Sequence, residues 1–295
     1  MVSYEYIVYS ITTRCNLQCP GCFRVGRGRR DLPLQLFAKS IPMAKRLGCR
    51  CINLTGGEPL VHPDWNSFIK TCNDTRLKCF FSTNGLLIES LSQPELSNIS
   101  LLAIPLDGHC ASLNDRIRCL GHFDKIISLI HEYAEGNFPF ILKINTVVTS
   151  ENYDFLESIL DILADQSRVI WKLFQFAPRG EFASVSGASV PSNLILQKIH
   201  EFLGRETTKC NITYLAASSA GNYLIVDPDG QVYIPANTFY KRIGSILDES
   251  TINWVVNNRD LTGNTVKGQL QGLKHGKETP SSTYRPSRVT GKELF

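Results

Sequence analysis

Tyr6-Ile7-Val8-Tyr9-Ser10-Ile11 leads, through Thr12-Thr13-Arg14, into Cys15-Asn16-Leu17-Gln18-Cys19-Pro20-Gly21-Cys22. The first six residues, mostly β-branched or aromatic, read as a strand. Three cysteines at intervals of four and three then share one loop. Three thiolates this close can hold three corners of a cubane iron–sulfur cluster. A structural zinc site normally wants four protein ligands, often as two separated pairs, and no second Cys-x-x-Cys pair occurs in the chain. Three protein ligands leave one metal position open, and an open position is where chemistry occurs. Three incidental thiols or an incomplete zinc knuckle form the bland alternative.

Outward from this loop the pattern alternates between strands and helices. Beyond a polar, Arg-rich stretch the spacing predicts a helix over Pro33 to Leu47, with proline in its first turn and Gly48 just past its end. Strands are expected at Cys51 to Leu54, Lys78 to Ser82, Leu101 to Pro105, Phe138 to Val148 and Val169 to Ala177. Helices are expected near Pro63 to Asn73, His122 to Ala134 and Tyr153 to Ala164. Such alternation with short connections means a parallel sheet covered by helices. Six units before residue 180 suit a barrel better than an open doubly wound sheet. The fold class expected is therefore α/β, a partial six-unit TIM-type barrel with a small C-terminal α+β extension. Its core would be residues 1–180, with 181–262 an extension covering the barrel. In that extension a helix runs from Pro191 to Gly204, a strand from Ile212 to Ala216, and a hairpin turns at Pro228-Asp229-Gly230, where glycine supplies positive φ. A last helix covers Glu249 to Asn257.

Composition agrees with a globular chain: 295 residues, 43% apolar, 20% charged. No stretch reaches the roughly 18 to 20 apolar residues of a spanning helix, and the start lacks a signal-peptide pattern. A cytoplasmic protein with no membrane partner is expected. The net charge of +4 resides in residues 263–295, which carry six basic and two acidic side chains and read as a poorly ordered basic tail. No broad basic face marks a nucleic-acid binder. Ten cysteines do not imply a disulfide scaffold in a chain of this size without an export signal. Cys49, Cys51, Cys72 and Cys79 lie on core elements and read as packing residues. Cys110, Cys119 and Cys210 could include a hydrogen-atom donor, with burial the simpler reading. His109 and His122 flank a motif loop and are candidate proton carriers.

Three further turns follow successive strands, namely Thr55-Gly56-Gly57-Glu58-Pro59, Ser82-Thr83-Asn84-Gly85 and Leu106-Asp107-Gly108 with Arg118 ten residues on, while Lys143-Ile144-Asn145 lies within the fifth strand. Each alone is an ordinary turn. Together with the cysteine loop, in this order, they resemble the radical S-adenosylmethionine (SAM) superfamily over roughly residues 5 to 180. Glycines at 56 and 57 would let backbone approach a ligand, and Glu58 could pair with an ammonium. Gly21 departs from the family, which often has an aromatic residue there; Phe23 follows the third cysteine instead.

The resemblance implies that Cys15, Cys19 and Cys22 hold one [4Fe-4S] cluster, with SAM chelating the open iron. Gly56, Gly57, Glu58, Ser82, Asn84, Asp107, Arg118 and Asn145 would surround SAM. An external one-electron donor of flavodoxin or ferredoxin type would be the redox partner. After Cys119 only Cys210 remains. The hairpin of residues 226–235 looks like the start of the auxiliary-cluster region of peptide-modifying members, yet no cysteine follows it, so a single cluster is expected. That absence, and the lack of a peptide-recognition domain before the first strand, favour a small-molecule substrate. A finer resemblance to viperin-like nucleotide dehydratases, in Lys143 to Val147 and Trp171 to Gln175, implies that Lys143 and Lys172 face an anionic, nucleotide- or sugar-like substrate. Arg24, with Arg27, Arg29 and Arg30, adds positive charge near the mouth. Two alternatives remain open: a peptide modifier or glycyl-radical activase, and a catalytically silent iron–sulfur interaction protein.

Overall fold

The computed structural model describes residues 5–20, 22, 28–177, 188–217, 223–235 and 239–258. Six strands alternate with helices as expected: β1 (Tyr6–Thr12), α1 (Leu34–Arg46), β2 (Cys51–Gly56), α2 (Trp65–Asp74), β3 (Lys78–Ser82), α3 (Gln93–Asn98), β4 (Leu101–Pro105), α4 (Ala111–Ile117), α5 (His122–Glu135), β5 (Ile141–Val148), α6 (Leu156–Leu163) and β6 (Val169–Gln175). These strands pair in parallel, each with the next.

Residues beyond 181 add to the same sheet at both ends. After α7 (Ser192–Leu203), β7 (Asn211–Leu215) pairs in parallel with β6. The chain then crosses to the opposite side, where β8 (Leu224–Val226) lies parallel to β1. β9 (Gln231–Pro235) and β10 (Tyr240–Ser245) continue outward as antiparallel strands, and α8 (Glu249–Asn257) follows. The ten-strand order is β10-β9-β8-β1-β2-β3-β4-β5-β6-β7. The edge strands β10 and β7 are not paired with each other, so the barrel is open and partial.

Period-2 alternation sorts each strand's side chains between two cores. Ile7, Tyr9 and Ile11 meet the helices in the larger outer core, together with Phe37, Ile41 and Ala44 of α1. Tyr6, Val8, Phe80, Leu101 and Ile170 form a smaller inner core on the other face. The spacing of Phe37, Ser40, Ile41 and Ala44 puts α1's buried residues on one stripe, and Gly48 leaves the helix at φ +88°.

Several boundaries differ from expectation. The fifth strand begins at Ile141, because Phe138 and Phe140 turn to pack on Tyr133 rather than join the ladder. The sixth ends at Gln175. Helices α3 and α4 and strand β10 lie beyond what the sequence periodicity predicts; α3 starts with a Ser92–Glu95 capping box and Pro94. Among the described residues no helix is long and apolar enough to cross a membrane. The tail of residues 263–295 and the arginine-rich stretch around Arg24 and Arg27 lie outside the described residues, as do Gly21 and Phe23.

Candidate active site

The cysteine loop leaves β1 and returns through residues tied back to it. Thr13 N–H donates to the Arg30 carbonyl at 2.8 Å, and Leu32 N–H to the Ile11 carbonyl at 2.8 Å. Asp31 accepts from the Thr12 hydroxyl at 2.6 Å and pairs with Arg14 at 2.7 Å. The stem of the loop is thus fixed, while Cys15, Cys19 and Cys22 sit half-buried and unbridged above it. All three border a cavity of about 720 Å³. Burial raises the thiols of Cys15 and Cys19; at Cys19 the neighbouring Arg118 guanidinium works the other way. No three His, Cys, Asp or Glu groups among the described residues converge on one point as a single ion would need. A cubane makes a different demand, one thiolate per iron, and the donor set here is three thiols of one loop.

Gly56 and Gly57 are needed where β2 ends. A Cβ on Gly56 would lie 2.3 Å from the Thr12 carbonyl oxygen, and one on Gly57 would lie 2.1 Å from that of Arg14. Gly57 N–H donates to Thr12 O and Glu58 N–H to Arg14 O, each at 2.8 Å. The glycines therefore let the β2 turn press against the base of the cysteine loop, and both also line an interior cavity of about 240 Å³.

Glu58 has a different occupation from the expected ammonium contact. It is fully buried, and its two carboxylate oxygens accept from Leu60 N–H at 3.1 Å, the Thr83 hydroxyl at 2.7 Å and Asn84 N–H at 2.6 Å. Burial raises its pKa against the opposing pull of these three donors. The carboxylate clamps the β2 turn to the β3 turn, and a ligand in the cavity would meet the backbone of residues 55–57 instead.

That clamp positions Asn84, whose side-chain amide reaches Asn16 in the cysteine loop at 2.7 Å. Ser82 donates to Asn53 at 2.9 Å and lines the interior. Asp107, at the end of β4, is buried and holds Arg118 through two contacts of 2.8 and 2.5 Å while accepting Val147 N–H at 2.8 Å. Burial alone would ease a proton off Arg118; Asp107 and Cys19 more than offset it, and the guanidinium stays charged. It also reaches the Cys19 sulfur at 3.8 Å. Asn145 faces the same interior, and its side-chain oxygen is buried without a partner.

Lys143 and Lys172 line this cavity too, both buried. Burial pushes Lys143 down to about 8 and Lys172 well below its ordinary value, with the Lys143 charge adding to the effect at Lys172. Lys172 Nζ lies 5.0 Å from the Phe174 ring centre, a cation–π distance. Arg24 lies outside the described residues.

The histidines separate. His122 is a core residue, bonded to the Asn84 carbonyl at 3.0 Å and to Asn114 at 2.9 Å; His109 stacks on Phe155 at 4.6 Å. Cys49, Cys51, Cys72, Cys79 and Cys210 are buried, while Cys110 and Cys119 are half-exposed. Sequence reasoning missed Asp31, for which no local signal exists, and Thr213 on β7, a buried residue whose hydroxyl has no partner and which strand alternation could have found.

Comparison with known proteins gives this arrangement a family. The profile of the radical SAM superfamily matches residues 9–163 of the 295, more than half the chain. The chain belongs to the radical SAM superfamily of enzymes. Among its relatives is the mycofactocin maturase MftC of Mycobacterium ulcerans, 26% identical over 280 residues, which cover 86% of this chain and 75% of the maturase. Another is the AdoMet-dependent heme synthase of Oleidesulfovibrio alaskensis, 25% identical over 225 residues, 74% of this chain and 56% of the synthase. The chain thus spans between about half and three quarters of these relatives' lengths. Of solved structures, Streptococcus suis SuiB bound to its precursor peptide SuiA matches this radical SAM chain with a TM-score of 0.71 at 15% identity, over 89% of this chain and 66% of SuiB. The anSMEcpe structure with AdoMet and a Cp18Cys peptide matches at 0.65 and 16%, over 87% and 82%. At these identities the structural likeness concerns the fold.

Proposed function

We propose that this chain cleaves SAM reductively and uses the product to abstract hydrogen from a substrate inside the barrel. Cys15, Cys19 and Cys22 would hold a [4Fe-4S] cluster, and the C-terminal ends of β2 to β5 would hold SAM. Once bound and reduced, that pair supplies a 5′-deoxyadenosyl radical capable of taking a hydrogen atom. The chain's own residues bind and orient. The backbone at Gly56 and Gly57 meets the methionyl end, Arg118 held by Asp107 offers a fixed cation to a carboxylate, and the orphaned Asn145 oxygen accepts a hydroxyl donor. Glu58 supports the β3 turn from behind. The observation that carries this reading is that Cys22 borders both the outer cavity at the cysteine loop and the interior cavity of the barrel. A cluster held there would share the cavity lined by Asn145 and the two lysines.

For the substrate, the likeness to the peptide-bound SuiB and anSMEcpe structures supports a peptide or protein above the small molecule expected from the missing C-terminal cysteines. A small anionic molecule is the second reading, favoured by the two buried lysines. Oxygen-free reconstitution with iron, sulfide, SAM and a strong reductant tests the function. 5′-Deoxyadenosine should form and disappear in Cys19→Ala. A wild-type chain that binds zinc alone, or forms no 5′-deoxyadenosine, would overturn it. Deuterium transfer from labelled peptides or from labelled small acids separates the two substrates.

A further inference from the structure

Lys143 on β5 and Lys172 on β6 are 9% and 2% exposed, and among the described residues no carboxylate pairs with either. The charge that acts on Lys172 is the other lysine, a repulsion. Two like charges shut in a cavity without a counterion are costly unless something else arrives to pair with them.

The strand register shows what surrounds them. Asn145 stands opposite Lys172, and Lys172 opposite Thr213 on β7, so three polar side chains share one rung across three parallel strands. Thr213 is 3% exposed, and its hydroxyl has no hydrogen-bond partner. Its direction follows from its neighbours: Ile212 belongs to the outer core, whereas Leu215 lines the interior cavity. Lys143 stands two residues before Asn145, about 7 Å deeper along the strand. Ile170 stands beside it on β6, and beneath it Tyr6, Phe80 and Leu101 close the floor with largely apolar surface. Two lysine amines and a hydroxyl thus offer unused donors above a closed, apolar base.

We propose that Lys143, Lys172 and Thr213 form a seat for one compact anionic group, a carboxylate or a single phosphate, carried by the substrate into the floor of the barrel. The identity of the molecule that brings the anion rests on the radical SAM reading; the seat itself rests on these three side chains. The closed floor admits the end of a molecule, so the anion docks first and the carbons behind it rise past Asn145 toward the cysteine loop. A free small acid and a peptide carrying a terminal or side-chain carboxylate offer the same chemistry.

The test is saturable stabilisation of the cluster-loaded, oxygen-free chain against thermal unfolding, with succinate, inorganic phosphate, a short peptide with a free C-terminus and its amidated twin as probes. At least one anionic probe should raise the midpoint saturably. The concentration for half-effect should rise at least tenfold in Lys172→Met and severalfold in Thr213→Val, with no change in Lys70→Met, a surface lysine paired with Asp74. Response to the free-terminus peptide but not the amidated one would assign the anion to a polypeptide; response to succinate or phosphate alone would assign it to a small molecule. Equal half-effect concentrations in wild type and Lys172→Met, or no stabilisation by any probe, would overturn the seat. 5′-Deoxyadenosine formation is scored separately. Its absence from wild type with anion binding intact overturns the radical reading and leaves the seat standing.

Discussion

Lys143→Met should make the protein more stable. The folded state lowers this lysine from its ordinary 10.5 to about 8, with burial as the cause. At about 1.4 kcal/mol per pH unit, holding the ammonium inside costs about 3 kcal/mol at neutral pH. Methionine keeps a stem of similar shape without the charge, so the variant should gain on the order of 3 kcal/mol. Relief of the repulsion on Lys172 adds to the gain. The pH dependence has a fixed sign. Between pH 8 and 10.5 the unfolded chain holds a proton that the folded chain has released, so wild-type stability rises with pH through that window. The advantage of the variant is therefore complete below pH 8, shrinks from 8 to 10.5 and vanishes above. Urea titrations of both chains, oxygen-free and at matched pH, give the difference directly, and titrating groups other than the neighbouring Lys172 cancel in the subtraction. A variant no more stable than wild type at pH 7, or an advantage that persists unchanged at pH 10.5, would refute the reasoning.

Further substitutions separate support from contact. Glu58→Gln removes one acceptor from a site with three donors and should cost about 1 to 3 kcal/mol of stability; unchanged stability with weakened SAM binding would return this residue to the ammonium contact. Asp107→Asn leaves Arg118 without its buried partner and should cost about 3 to 5 kcal/mol, accompanied by weaker SAM binding in equilibrium dialysis. Gly57→Ala drives a methyl into the Arg14 carbonyl and should reduce the iron bound per chain, read by iron analysis; full iron content would show that the two turns can part. Cys19→Ala should lose the cluster's visible absorbance.

Much of the fold could be read locally. The strand before the cysteines, the order of the six strands and the placing of the glycine-bearing motifs at strand ends all follow from periodicity and breakers. Lys143 and Asn145 share a face because they are two residues apart on a strand. Side-chain destinations that depend on distant partners were less legible. Nothing near Glu58 announces that Thr83 and Asn84 will enclose it, since the contact joins turns on different strands. The pairing of β8 with β1 unites residues from opposite ends of the chain, and no local pattern encodes it. Helix α3 is a different case: Ser92, Pro94 and Glu95 spell a helix start, but six residues are too few to show a period.

The place of β8 bears on how the protein is made. β1, which leads into the cysteine loop, lies between β2 and β8, and Ile7 waits for Leu224 to complete its ladder. At ordinary ribosomal speeds of about 5 to 20 residues per second, that wait lasts on the order of ten to forty seconds. During it, the N-terminal strand exposes a raw hydrogen-bonding edge of the kind that recruits wrong partners. A nascent chain halted before residue 224 would keep that edge permanently, so ribosome stalling in the second half of the message should yield aggregates rather than a smaller working barrel.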